Sequence, residues 1–317
     1  MNNNRLVQYL SIQYPIIQGG MGNISSAKLA GTVSLAGGLG TVGVGTMDSS
    51  RVREMLEELK TINVPYAVNI PINVTPCLEA LMELLLEYCV PVVSFSAGNP
   101  KPHINKLKEK GIKIIVVVAS IKQALKAEEA GADVIVAEGY EAAGINSTLE
   151  STTMTLIPQL VKHIRVPIVA AGGIGDGRGL AAALSLGASG VQMGTRFIAT
   201  KEAPYHTNYK EKIIQANDTS TLVVGRSVGK IRRLLHTPYA EMLLEEEKCL
   251  LRSELFDEKT SETYHEIGAI HGELDKGFIN GGQIAGLIDD IPSVDQLITT
   301  MIEEARSHLK RSLDLIL

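Results

Sequence analysis

Tryptophan is absent from this 317-residue sequence, and aromatic residues make up only 4% of it. A protein that stacks sugars on aromatic rings, or one built mainly of β-strands, needs more aromatic residues than this. Positive and negative charges nearly balance, with a net charge of −5, and no basic stripe is present. We therefore expect no nucleic-acid partner.

Cysteine and long apolar runs are scarce as well. The three cysteines, Cys77, Cys89 and Cys249, lie far apart and form no Cys-x-x-Cys pair, so we expect neither a disulfide framework nor a metal site. The first residues contain no apolar signal core, and no segment is long enough to span a membrane. These absences predict a soluble protein of the reducing cytoplasm.

What the sequence does contain is glycine, with 30 residues, and short apolar runs that alternate with helical patterns. The alternation recurs at intervals of roughly 20–35 residues, which favours repeated βα units. Eight candidate strands before residue 200 favour an α/β fold of the TIM (β/α)8 type over an open doubly wound sheet. The predicted strands are 15–18, 39–43, 66–70, 90–96, 113–119, 134–138, 168–171 and 191–193, and clear helical patterns occur at 50–60, 78–87, 121–129 and 151–163.

The pattern changes after the eighth strand. Residues 201–275 are rich in charge and poor in β-branched runs, with helical patterns at 239–255 and 261–268. We predict a barrel over 1–199 plus 281–317 and a helical subdomain over 200–280 that covers the substrate site, with a surface appendage as the alternative. Ser293 and Gln296 form a capping box for a final amphipathic helix that packs on the barrel.

Two glycine loops lie close together in residues 166–198. Gly172 and Gly173 follow the seventh strand, while Gly194 and Thr195 follow the eighth. Bare backbone at the ends of strands 7 and 8 is what a phosphate site in a TIM barrel requires, although an ordinary βαβ crossover is the alternative. The residues at 38–43 fit a Gly-x-Gly-x-x-Gly pattern by letter, but they enter a strand, so we reject a dinucleotide site there.

Other candidate residues lie at predicted strand ends. Gly20, Met21 and Gly22 suit the close approach of a flat ring, or form a plain turn. Asn69 is either a ligand-binding amide or a turn former, and Glu138 and Tyr140 place acid–base groups at the mouth of the barrel unless they are merely solvated. Among the seven histidines, His206 has the best position for a site, although a lone histidine is more often structural.

Nine segments, in order over nearly the whole chain, resemble one known family. They are 15–22, 36–40, 68–69, 97–100, 131–133, 138–139, 170–179, 192–197 and 282–286. The chain resembles the FMN-dependent nitronate monooxygenases, or 2-nitropropane dioxygenases, together with the flavin-type enoyl-ACP reductases II.

The resemblance implies a TIM barrel that binds FMN, with a helical substrate lid. It places the flavin phosphate on Gly173 and on the run Gln192, Met193, Gly194 and Thr195, with Asn69 and Glu138 nearer the ring. Because no second mononucleotide fold is present, NAD(P)H would act only as a transient reductant. A small-molecule substrate is expected, and a homodimer is left open.

The sequence departs from the family at one position. The members usually carry a catalytic histidine in a Gly-Gly-His pattern after strand six, where this chain has Ala143, Gly144 and Ile145. Isoleucine can neither take nor give a proton. We therefore predict a nitronate monooxygenase-like oxidoreductase, which starts from an anion and uses O₂. The alternatives are an NAD(P)H-dependent enoyl thioester reductase, with Tyr140, Asn146 or His206 in place of the histidine, and a flavin-binding barrel without turnover.

Overall fold

Eight parallel strands form a closed ring in the computed structural model, which describes residues 4–249 and 252–316. Hydrogen bonds run around the sheet in the order β1-β9-β8-β6-β5-β4-β3-β2, and the Ile17–Leu39 bridge joins its two edges. The predicted TIM barrel is confirmed. The strands are β1 Ile16–Gln18, β2 Gly40–Gly43, β3 Tyr66–Pro71, β4 Val92–Ser96, β5 Lys113–Val118, β6 Val134–Glu138, β7 Gly144–Ile145, β8 Ile168–Ala171, β9 Gly190–Met193, β10 Thr221–Val224 and β11 Arg232–Leu235.

Helices surround the ring and follow most of its strands. The helices predicted around 50–60, 78–87, 121–129 and 151–163 are confirmed, the last with both ends two residues shorter. The helices are α1 Arg5–Leu10, α2 Ala27–Leu35, α3 Ser49–Thr61, α4 Leu78–Glu87, α5 Lys101–Lys108, α6 Ile121–Glu129, α7 Thr153–Val161, α8 Gly177–Ser185, α9 Thr195–Ile198, α10 Thr207–Ile214, α11 Pro238–Lys248, α12 Ser253–Lys259, α13 Glu262–Ala269 and α14 Val294–Asp314. None of them, within the described ranges, is apolar over a length that would cross a bilayer.

Helix α1 closes the N-terminal end of the barrel. The Asn4 side chain accepts hydrogen bonds from the backbone N–H groups of Leu6 and Val7, which caps the helix. Leu6 and Leu10 are fully buried and pack with inward-facing strand residues such as Ile17. Because the interior is filled from this side, the open space lies at the C-terminal ends of the strands.

The segment after α9 carries helices α10–α13, and it also carries a hairpin that the sequence did not predict. β10 pairs antiparallel with β11, and β11 pairs in turn with β7 of the loop after β6. The strands were missed because they are only four residues long and owe their pairing to a distant loop. A small separate core, which includes Val224, Leu243 and Phe256, packs beneath the hairpin.

The helical pattern at 239–255 is divided between two helices in the structure. The structure has α11, which ends at Lys248, and α12, which begins at Ser253; residues 250 and 251 lie outside the described ranges. Cys249 leaves the helical conformation, with φ −94° and ψ 27°, and so ends α11. The prediction near 261–268 is confirmed by α13.

Helix α14 packs against α8. The Ser293 side chain accepts the Gln296 N–H, as expected from one half of a capping box. The Glu304 carboxylate then accepts the N–H of Gly177 at 3.1 Å, where α8 begins. The two helices approach so closely at this point that a Cβ on Gly177 would lie 2.3 Å from the Glu304 Cβ and 2.8 Å from the Met301 carbonyl oxygen.

We expect Gly177→Ala to lower the free energy of unfolding by about 1–3 kcal/mol, because the backbone of α14 must shift to admit the methyl group. Urea unfolding followed by circular dichroism measures the effect. Arg178→Ala introduces the same residue at the exposed neighbouring position of α8 and should change stability by less than half as much. Equal effects of the two substitutions would contradict this account of the packing.

Candidate active site

A cavity of about 490 Å³ lies at the C-terminal ends of the barrel strands. Its size is within the range of small-molecule and cofactor sites. All eleven residues that the sequence predicted to bind a cofactor line it: Gly20, Met21, Gly22, Asn69, Glu138, Gly172, Gly173, Gln192, Met193, Gly194 and Thr195. The strand ends therefore bring together side chains and backbone from positions 20 to 195 of the sequence.

The loop after β1 packs directly on β3. A Cβ on Gly20 would lie 2.7 Å from the Cβ of Asn69, so only glycine allows this approach. The Asn69 amide donates to the Ser94 carbonyl oxygen at 3.2 Å and to the Ser96 hydroxyl at 3.3 Å. These bonds fix the orientation of the Asn69 side chain at the cavity wall.

Bare backbone lines the cavity at the ends of β8 and β9. Gly172 and Gly173 have φ values of +94° and +72°, which an L side chain rarely adopts. Gly194 differs, because its φ is −111° and an added Cβ would meet no atom within 4 Å. The space beside Gly194 is therefore open cavity, in the place where the sequence predicted a phosphate.

Glu138 ends β6 at the floor of the cavity. Its carboxyl group forms no hydrogen bond or ion pair with a residue of the described ranges. Burial raises its pKa from 4.5 to about 7, because the charged form loses hydration and gains no partner. A carboxyl group of this kind can hold or release a proton near neutral pH.

The loop after β6 uses its other polar groups to hold itself in place. The Glu141 carboxylate accepts the backbone N–H of Thr153 at 3.0 Å, at the start of α7. Asn146 lines the cavity, but its amide donates to the Ala142 carbonyl oxygen at 2.9 Å. Ile145, at the position where the family pattern has histidine, also lines the cavity.

Tyr140 and His206, two of the three predicted catalytic residues, do not line the cavity. The Tyr140 hydroxyl bonds to Arg226 at 2.5 Å and to Glu150 at 3.3 Å, so its phenol is engaged by the hairpin. The His206 ring caps α10, where its Nδ1 accepts the Asn208 N–H at 3.1 Å. Neither side chain is placed to touch a molecule in the cavity.

Four charged, imidazole or amide side chains that the sequence analysis did not single out reach the cavity from one part of the chain. They come from the segment after β9 and its return to the barrel: Arg232, Glu262, His265 and Asn280. We call these four residues the insertion wall. Two of them could have been found, because Glu262 and His265 are three residues apart on the predicted helix at 261–268 and so share one face.

Glu262 anchors the insertion wall to the barrel. Its carboxylate accepts the Asn23 N–H at 3.0 Å, and the Nδ1 atom of His265 lies 3.4 Å from the same oxygen. Burial opposes ionisation of Glu262, but His265, Arg232 and the Asn23 N–H outweigh it and lower the pKa to about 2. Glu262 is therefore an anion, held between the β1 loop and α13.

His265 is buried and held on several sides. Its ring stacks on Phe278, with ring centroids 5.1 Å apart, and its Nε2 atom lies 3.1 Å from the Asn280 amide nitrogen. Because the Glu262 carboxylate can only accept, Nδ1 of His265 donates to it, while Nε2 faces the Asn280 amide. No group of three or more histidine, cysteine or acidic side chains in the described ranges could hold a metal ion.

Comparison with known proteins agrees with this geometry. The chain matches the family of nitronate monooxygenases over residues 3–80 and 62–304. It is 37% identical to a probable nitronate monooxygenase of Staphylococcus saprophyticus over 286 residues, which are 76% of this chain and 81% of that protein.

Two solved structures show the same fold. FabK of Thermotoga maritima superposes with a TM-score of 0.93 and 40% identity, over 99% of both chains. A nitroalkane oxidase of Streptomyces ansochromogenes gives a TM-score of 0.84 at 24% identity, over 97% of this chain and 99% of that one. With a family match over most of its length and a relative at this level of identity, the chain belongs to the nitronate monooxygenase family and is an oxidoreductase.

Proposed function

We propose that the cavity binds FMN. The open space beside Gly194 and the bare backbone of Gly172 and Gly173 suit a phosphate group, which backbone N–H groups bind well. The wall formed by Gly20, Met21 and Gly22 offers a flat, soft surface for a ring, and Asn69 offers an oriented amide. FMN would supply the two-electron redox chemistry, while the protein supplies position and electrostatics.

We further propose that the substrate is a nitronate or a similar small carbanion, and that O₂ is the final electron acceptor. The observation that carries this proposal is that, among the described residues, the loop after β6 itself offers no free base. Ile145 occupies the family's histidine position, and both ring nitrogens of His265 are engaged, by the Glu262 carboxylate and by the Asn280 amide. A nitronate is already an anion, so no residue of this loop needs to remove a proton from it.

A second candidate is reduction of an enoyl thioester by NAD(P)H, as in the FabK enzymes. Two observations favour it: the likeness to the Thermotoga maritima FabK over 99% of the chain, and the Glu138 carboxyl group. With a pKa of about 7, Glu138 can hold a proton at neutral pH. Two acidic side chains of β6 and its following loop line the cavity. Glu141 is held by the N–H at the start of α7, which leaves Glu138 without a partner among the described residues.

Anaerobic visible spectra separate the two candidates. We expect the yellow colour to bleach when 2-nitropropane nitronate is added, and to bleach much more slowly with neutral 2-nitropropane, because the only unpartnered base in the described lining, Glu138, is partly protonated near pH 7. Bleaching by NADPH or NADH, followed by recovery of the colour with a crotonyl thioester, would instead select the reductase. A yellow protein that responds to none of these would be a binding protein.

The phosphate position can be tested at Gly194. We expect Gly194→Val to yield folded protein with at least tenfold less bound flavin, because its side chain enters the proposed phosphate space while its φ is one that valine accepts. Absorbance at the flavin band measures occupancy, and the melting temperature of the flavin-free form measures folding. Gly194→Ala, with a smaller side chain, should retain more flavin. Full flavin in the valine variant would contradict the assignment.

The state of Glu138 predicts a pH dependence of stability. Between pH 4.5 and 7 the unfolded chain loses the Glu138 proton first, so flavin-free protein loses stability as the pH rises through this window. Glu138→Gln should therefore match the parent protein near pH 4 and exceed it at pH 8, by at most about 3 kcal/mol.

Urea unfolding at both pH values measures this difference. Glu54→Gln, at an exposed position of α3, serves as the control and should give the same difference from the parent at pH 4 and pH 8. A Glu138→Gln variant whose stability parallels that of the parent at both pH values would mean that the carboxyl group is not held protonated by burial.

A further inference from the structure

Arg232 stands out among the arginines of the hairpin because the protein leaves its guanidinium without a partner. It begins β11, lines the cavity, and lies over the Phe278 ring at 5.0 Å from the centroid. It forms no hydrogen bond and no ion pair with a residue in the described part of the chain. Its N–H donors are thus not engaged by the described residues.

The neighbouring arginines do have partners. Arg226 forms an ion pair with Glu150, and Arg233 donates to the Tyr140 carbonyl oxygen at 3.1 Å and 3.2 Å. Burial lowers the pKa of Arg232, although the more distant charges of Glu262 and Asp257 favour its charged form. Arg232 is partly buried, so its guanidinium loses hydration, and a ligand anion can offset that loss through two parallel hydrogen bonds.

The register of the hairpin places Arg232 directly opposite the loop after β6. Arg232 is the direct cross-strand partner of Ile145, and opposite residues of an antiparallel pair point to the same face. The hairpin therefore brings a permanent cation next to the position where the family pattern has histidine. The Glu262 charge favours the charged form of Arg232, but its carboxylate accepts from the Asn23 N–H at 3.0 Å and from His265 and forms no ion pair with Arg232.

We propose that Arg232 binds the substrate through a planar oxyanion, the O–N–O group of a nitronate or the O–C–O group of a carboxylate. Both groups offer two oxygen atoms at the spacing of the guanidinium fork. The identification of the substrate as a nitronate rests on the proposed function, whereas the anion site rests on the contacts of Arg232 alone.

Binding of propionate to the flavin-loaded protein tests the site without turnover. We expect calorimetry to show at least tenfold weaker propionate binding for Arg232→Gln, and an intermediate loss for Arg232→Lys, which keeps the charge but not the fork. Propionamide, which has the same shape without the charge, should bind the parent and the glutamine variant equally weakly. Arg226→Gln removes a cation from the same hairpin outside the cavity lining and should change propionate binding by less than twofold.

Turnover supplies a second readout. We expect Arg232→Gln to raise KM for 2-nitropropane nitronate at least tenfold, with a smaller change in kcat. Propionate binding that depends on Arg232 in a protein that does not oxidise nitronates would uphold the anion site and refute the proposed function. Propionate affinity and nitronate KM that are both unchanged in Arg232→Gln and Arg232→Lys would overturn the inference, whether or not nitronates are oxidised. Melting temperatures confirm that the variants are folded.

Discussion

Closure of the barrel is the constraint on which the rest of the structure depends. Once the Ile17–Leu39 bridge joins the two edges of the sheet, all eight parallel strands of the ring begin at one rim and end at the other. Leu6 and Leu10 of α1 fill the N-terminal rim, and all eight strands therefore deliver their following loops to the other. Glycine loops at distant positions in the sequence meet there only because the strands are parallel and the ring is closed.

The segment after β9 completes the cavity through two attachments. The pairing of β11 with β7 fixes the hairpin to the loop after β6, and the Glu262 carboxylate fixes α13 to the loop after β1. Each attachment joins a residue of the segment to a loop that lines the cavity. The segment thus contributes Arg232 and His265 to the lining of the cavity.

Local patterns in the sequence predicted the barrel and the loops of bare backbone well. Strand and helix periodicity needs only neighbouring residues, and Gly20, Gly172 and Gly194 mark strand ends whatever packs on them. The hairpin and the insertion wall could not be predicted in this way, because Arg232 owes its position to a register with Ile145, 87 residues earlier in the chain. Tyr140 and His206 had suitable chemistry for a site, but other side chains and a helix end engage them.

The Ile145 side chain with the Arg232 guanidinium beside it offers different chemistry from a histidine at position 145. Histidine titrates near neutral pH and can accept a proton, whereas arginine stays protonated and can only stabilise negative charge. The pair of Ile145 and Arg232 therefore favours a substrate group that is already anionic, or that becomes anionic during reaction, over one that must first be deprotonated. The sole free carboxyl group at the cavity floor within the described residues, that of Glu138, lies on β6 itself and not in this pair. In the function proposed here, charge stabilisation and proton exchange thus fall to two different side chains of one cavity, whereas a single histidine would provide both.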